Sequence, residues 1–163
     1  MENQKRICFI GHRNIDYISA KEKLKEVVKN EIENGCKFFT MGTHGNFDVL
    51  ALSVCRELRY THRDIEIEVV ITSLNKIKTI VEYDEYYGYE KYTPYSDVKT
   101  VMYDIEEEHF KRQITVSNQK MIDTCDTLIA YVDEKRPYSG AKTALNYAKK
   151  KGLKIKNIYN NLP

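Results

Sequence analysis

Three short strings in this chain pair glycine with groups able to hold an anion. They are Gly11-His12-Arg13-Asn14, then Gly42-Thr43-His44-Gly45-Asn46-Phe47-Asp48, then Ser139-Gly140-Ala141-Lys142-Thr143. Each follows an apolar run and precedes an amphipathic one. Glycine lets a ligand come close to backbone, and a helix start offers N–H groups with no partner inside the helix. Arg13 and Lys142 add charge-assisted hydrogen bonds, the arginine in two-pronged form. The chemistry implied is capture of a phosphate-bearing molecule. Neither G-x-x-x-x-G-K-[ST] nor G-x-G-x-x-G occurs, so the usual nucleoside triphosphate and dinucleotide loops are not signalled. Taken singly, each string is also an ordinary strand-to-helix turn, in which Asn46 or Asp48 caps a helix and His12 and His44 are turn residues.

The elements that would position these loops are legible from periodicity. Ile7-Cys8-Phe9-Ile10 reads as a buried strand, Lys37 to Met41 as a second, and Ile65 to Thr72 as a third. Thr127 to Val132 makes a fourth and Leu153 to Ile158 a fifth. Ser19-x-x-Glu22 reads as a capping box opening a helix with Leu24, Val27, Val28 and Ile32 on one face. A second helix places Phe47, Leu50, Ala51, Val54 and Leu58 together, a third runs from about Ile105 to Thr124, and a fourth carries Ala141, Ala144, Leu145 and Ala148. Strands alternating with helices predict one α/β domain over residues 1–163: a Rossmann-like three-layer fold with a mostly parallel sheet of about five strands. Ligands of such sheets bind beyond the carboxyl ends of the strands, where the three strings converge.

Residues 75–104 break that rhythm and read as an insert. Of the 13 tyrosines, Tyr83, Tyr86, Tyr87, Tyr89, Tyr92, Tyr95 and Tyr103 fall here or close by. A tyrosine-rich segment suits either a lid over a ligand or an interface between copies, and a segment covering a sheet edge accounts for it equally.

Composition narrows the function classes. The 163 residues are 42% hydrophobic and 31% charged, which describes a globular domain with its own core. No apolar run is long enough to span a membrane, and Met1 to Arg6 lead into the first strand without a cleavage-site pattern, so a cytoplasmic protein is expected. Cys8, Cys36, Cys55 and Cys125 lack C-x-x-C spacing, and His12, His44, His62 and His109 are scattered. Buried free thiols and no metal site are therefore expected. The net charge of +2 hides an asymmetry: Glu82 to Glu108 is strongly acidic, and the chain from Lys135 onward carries eight basic residues and no acid. Solvated faces explain both, and a basic end turned to an anionic ligand explains the second. The small net charge argues against nucleic acid as partner.

Phe9-Ile10-Gly11-His12-Arg13 resembles the opening strand and loop of the SLOG superfamily, a Rossmann-like group that includes the LOG phosphoribohydrolases and the DNA-processing protein A family. Phe38 to Asp48 is similar to a G-x-x-G-x-F/V-D loop of a small single-domain bacterial and phage branch. Ser117-Asn118-Gln119-Lys120-Met121 through Asp126-Thr127-Leu128-Ile129 is similar to the family's R-N-x-x-M-x-x-x-x-D-x-L-I segment, and Ser139 to Ala144 sits at its final glycine-rich loop. The departures matter. LOG enzymes carry a glutamate after the last loop, where this chain has Leu145 and Asn146, and an arginine where it has Ser117. A glycosidic hydrolase needs a carboxyl group to activate water, and Asp48 is the remaining candidate.

The resemblance implies non-catalytic binding of a nucleotide-derived ligand, ADP-ribose-type or cyclic, by a sensor or by a sequestering protein such as a phage anti-defence protein. The alternative is N-glycosidic hydrolysis of nucleoside monophosphates. Expected ligand-binding residues are Gly11, His12, Arg13, Gly42, Thr43, His44, Gly45, Asn46, Phe47, Asp48, Ser117, Asn118, Ser139, Gly140, Ala141, Lys142 and Thr143. No cofactor is expected, and family members imply a homo-oligomer.

Overall fold

A computed structural model describes residues 4–161 except Thr79, Tyr87, Thr93, Glu106 and Glu107. Tyr87, one of the tyrosines of the insert, thus lies outside the described residues. The strands are β1 (Arg6–Gly11), β2 (Phe38–Met41), β3 (Glu66–Val70), β4 (Ile80–Asp84), β5 (Gly88–Tyr92), β6 (Lys99–Val101), β7 (Thr127–Tyr131) and β8 (Lys154–Asn157). The helices are α1 (Tyr17–Glu33), α2 (Asn46–Arg59), α3 (Phe110–Asp123) and α4 (Gly140–Lys150).

Six strands form one parallel sheet in the order β6-β3-β2-β1-β7-β8. The chain starts in the middle, winds out through β2, β3 and β6, then returns to the other side of β1 with β7 and β8. The sheet's direction of winding therefore reverses between β1 and β7, which is where an open α/β sheet leaves a crevice.

Alternation along β1 shows why this strand is apolar throughout. Ile7 and Phe9 join the core beneath α1 and α2, while Cys8 and Ile10 join the core beneath α3 and α4. A strand covered on both faces needs apolar side chains at every position. β7 behaves alike: Ile129 and Tyr131 face the first core, Leu128 and Ala130 the second. Phe9, Phe39, Phe47, Leu24 and Leu50 are fully buried in the first, and each contributes on the order of 1.5–3 kcal/mol of burial.

Two expectations need correction. Helix α1 starts before Ser19: Asp16 is its N-cap, with its carboxylate accepting the Ser19 N–H at 3.5 Å. A carboxylate at the positive end of the helix displaces the serine to the third helical position. The central sheet has six strands rather than about five, because Lys99–Val101, inside the predicted insert, pairs in parallel with β3. The rest of the insert holds β4 and β5, an antiparallel hairpin that forms its own two-stranded sheet. All four cysteines are free and buried. No helix among the described residues is long and apolar enough to cross a membrane.

Candidate functional site

A cavity of about 450 Å³ opens at the carboxyl ends of β1 and β7. Ile10, Gly11, His12, Arg13 and Asn14 from the first loop line it. His44 and Asp48 come from the second loop and α2, Ile114 and Asn118 from α3, and Arg136, Tyr138, Ser139, Gly140 and Ala141 from the last.

Glycine is required where the first two loops meet. A Cβ on Gly11 would stand 2.3 Å from the Phe47 ring, and one on Gly45 would stand 2.8 Å from the Arg13 Cα. The close approach lets the Asn46 N–H donate to the Arg13 carbonyl at 3.0 Å, tying the start of α2 to the β1 loop.

His12 ties the first loop to the third. It is buried, and its Nε2 accepts the Asp133 N–H at 2.8 Å. That bond leaves the proton on Nδ1, which lies 3.3 Å from the Ser139 Oγ. Burial first, then the nearby Arg136 charge, lowers the pKa of the imidazole, so it stays neutral. Ser139 caps α4 by accepting the Lys142 N–H at 3.3 Å. With two donors on its oxygen, its own proton remains to be given elsewhere. His12 thus acts as a clasp, with Tyr131 edge-on to its ring and Phe47 stacked against Tyr131 at 5.8 Å.

Two arginines line the cavity. Neither Arg13 nor Arg136 takes part in an ion pair among the described residues. The Gly140 and Ala141 N–H groups open α4, and no acceptor is assigned to them, whereas those of Lys142 and Thr143 are both taken by Ser139. Two guanidiniums and an open helix start are the elements of an oxyanion site. Asp48 lines the same cavity. Its Oδ2 accepts the His44 N–H at 2.9 Å, so it caps the helix entry while still lining the cavity. Burial raises its pKa to about 6 against two backbone hydrogen bonds that lower it. His44 has its pKa lowered by burial, then by Lys76 and Arg13, and its Nε2 lies 3.3 Å from Thr72 Oγ1.

Of the expected residues, Gly11, His12, Arg13, His44, Asp48, Asn118, Ser139, Gly140 and Ala141 line this cavity. Gly42 and Thr43 line a second one of about 350 Å³, together with Asp48, Val49, Leu52, Ser53, Arg56 and Tyr95. Phe47 and Ser117 are buried and line neither. Gly45 and Asn46 serve the contact between loops. Lys142 and Thr143 line a separate cavity of about 560 Å³ with Tyr138, Ser139 and Gly140; Lys142 Nζ donates to the Arg136 carbonyl at 3.1 Å and Thr143 Oγ1 to the Ser139 carbonyl at 3.1 Å. Arg136, Tyr138 and Ile114 line the cavity without having been expected there, and Asn14, the last residue of the first string, lines it too. An arginine placed just ahead of Ser139-Gly140 was the signal for the first of them. Among the described residues no three metal-ligating side chains cluster.

No curated protein matches the chain. A family model named YpsA, described as the YspA SLOG family, matches residues 4–161, nearly its whole length. The Gly11, Gly42 and Gly140 loops therefore decorate a fold that has a family, and the chain belongs to the YspA SLOG family.

Proposed function

We propose that the cavity at the carboxyl ends of β1 and β7 binds a phosphate-bearing, nucleotide-derived small molecule without transforming it, the chain acting as a sensor or as a sequestering protein. The observation that carries this reading is the convergence of Arg13, Arg136 and the start of α4 on one cavity. Charge-assisted bonds to two guanidiniums are stronger than neutral ones, and the helix start supplies N–H groups already aimed outward. Tyr138, almost wholly exposed at the rim, offers an aromatic face to whatever enters. The test is incubation of the purified protein with a nucleotide panel including nucleoside monophosphates, NAD, ADP-ribose and its cyclic isomers. A species that leaves solution and returns intact after heat denaturation is the expected result.

A second reading is favoured by Asp48. A carboxylate that lines the cavity with its pKa raised to about 6 is mostly ionised at neutral pH yet strong enough to take a proton from water. It would serve as general base in N-glycosidic hydrolysis. The same panel separates the readings: release of a free base, abolished in Asp48→Asn, replaces binding by hydrolysis.

A further inference from the structure

The second cavity, on the far side of Asp48, differs in character from the first. Val49, Leu52 and Tyr95 give it apolar walls, and Ser53 and Thr43 add hydroxyls. The Thr43 Oγ1 is buried with no hydrogen-bond partner among the described residues. Its cation, Arg56, is already committed: Nε and an η-nitrogen reach Asp97 Oδ2 and Oδ1 at 3.0 and 2.7 Å. The cation of the described lining is therefore paired, in contrast to the two open guanidiniums next door, and Asp48 is its carboxylate.

Its outer wall is held deliberately. Tyr95 has φ +62°, the only left-handed non-glycine backbone among the described residues. Strained backbone of this kind persists where surrounding contacts fix it, and it concentrates at ligand clamps. Those contacts are on the page: Arg56 and Arg59 both grip Asp97, Arg59 also bonding its carbonyl at 2.8 Å, and the Val98 N–H closes the turn onto the Tyr95 carbonyl at 3.2 Å. The segment that the sequence marks as tyrosine-rich is thus pinned to α2 beside the site.

We propose that this second cavity receives the uncharged planar ring, a nucleobase, of a ligand whose anionic part sits against Arg13, Arg136 and α4. Asp48, which lines both cavities, then faces the joint between the two parts. Tyr95 supplies the apolar face and Thr43 a hydrogen bond to the ring edge. This assignment rests on the anion-binding reading above and adds to it which side of the cavity reads the base.

The test titrates AMP and ribose 5-phosphate, separately, by calorimetry into wild type and into Tyr95→Ala, Thr43→Val and Arg136→Ala. AMP is expected to bind the wild type at least about tenfold more tightly than ribose 5-phosphate, the range set by one base on one aromatic ring. Tyr95→Ala and Thr43→Val should erase that advantage and leave ribose 5-phosphate binding intact. Thr43→Val loses no hydrogen bond to any described residue of the free protein, so it remains informative if Tyr95→Ala disturbs the loop. Arg136→Ala should weaken both probes. Equal affinities for the two probes in wild type, or loss of both in Thr43→Val, would overturn the base assignment and leave the anion site standing. Failure of both probes to bind wild type would overturn the anion reading and this assignment with it.

Discussion

Asp48 and His12 pull the stability of this protein in opposite directions with pH. The Asp48 carboxyl rises from 3.8 to about 6 on folding, so between those values the folded chain holds a proton that the unfolded chain has released. Stability attributable to Asp48 is therefore fully present below about 4 and is lost as pH rises toward 6, by about 3 kcal/mol in all. Asp48→Asn keeps an oxygen to accept the His44 N–H and removes the charge. It should melt higher than wild type at pH 8 and equally at pH 4; an equal difference at both would show that the carboxylate is not penalised. His12 has the reverse sign. Its pKa is lowered in the fold, so the unfolded chain binds the proton first as pH falls through 6.5, and stability drops. Protonation also ends its role as acceptor for the Asp133 N–H. His12→Leu strands that donor and should cost roughly 1–3 kcal/mol at pH 8. The gap from wild type should narrow below pH 6, as read by chemical denaturation at each pH.

At the scale of elements, the loops are held by contact between backbones and rings. Gly11→Ala drives a methyl into the Phe47 ring, from a starting separation of 2.3 Å. Overpacking of this kind costs about 1–3 kcal/mol, and a melting point lower by roughly 2–12 °C is expected. An unchanged melting point would mean that the two loops separate freely. The strands and helices carrying these loops were legible because Ile7 to Ile10 and Leu128 to Val132 are apolar at every position, and because Phe47, Leu50, Ala51 and Val54 recur at helical spacing. That same spacing marked Phe47 as core, and the buried ring agrees. β6 was not legible: three residues, beginning at the exposed Lys99, on a sheet edge buried on neither face leave no pattern. The site was legible in its glycine loops and not in its far walls. Arg136 and Tyr138 precede their glycine in a loop whose path only the tertiary fold determines. Lys142 stands two residues after Gly140, far enough round α4 to leave the cavity.

Over the whole molecule, the basic excess of the last stretch of chain splits into two uses. Lys149, Lys151 and Lys156 pair with Glu134, Asp123 and Glu31. Arg136 remains outside any ion pair among the described residues, on the cavity side. Lys154 is likewise outside any ion pair among them, but it starts β8 and pairs in register with Thr127, which places it at the amino edge of the sheet. About four residues at roughly 3.3 Å each separate that edge from the cavity, more than the ~8 Å Debye length at physiological salt. If the cavity holds an anion, affinity for a phosphate-bearing ligand should fall as salt rises, and local charge should carry the effect. Arg136→Ala should then lose about tenfold or more in affinity at low salt and show a flatter salt dependence. Lys154→Ala removes the same formal charge from the protein and should leave both affinity and slope unchanged. Equal losses in the two variants would mean that net charge, rather than this cavity, attracts the ligand.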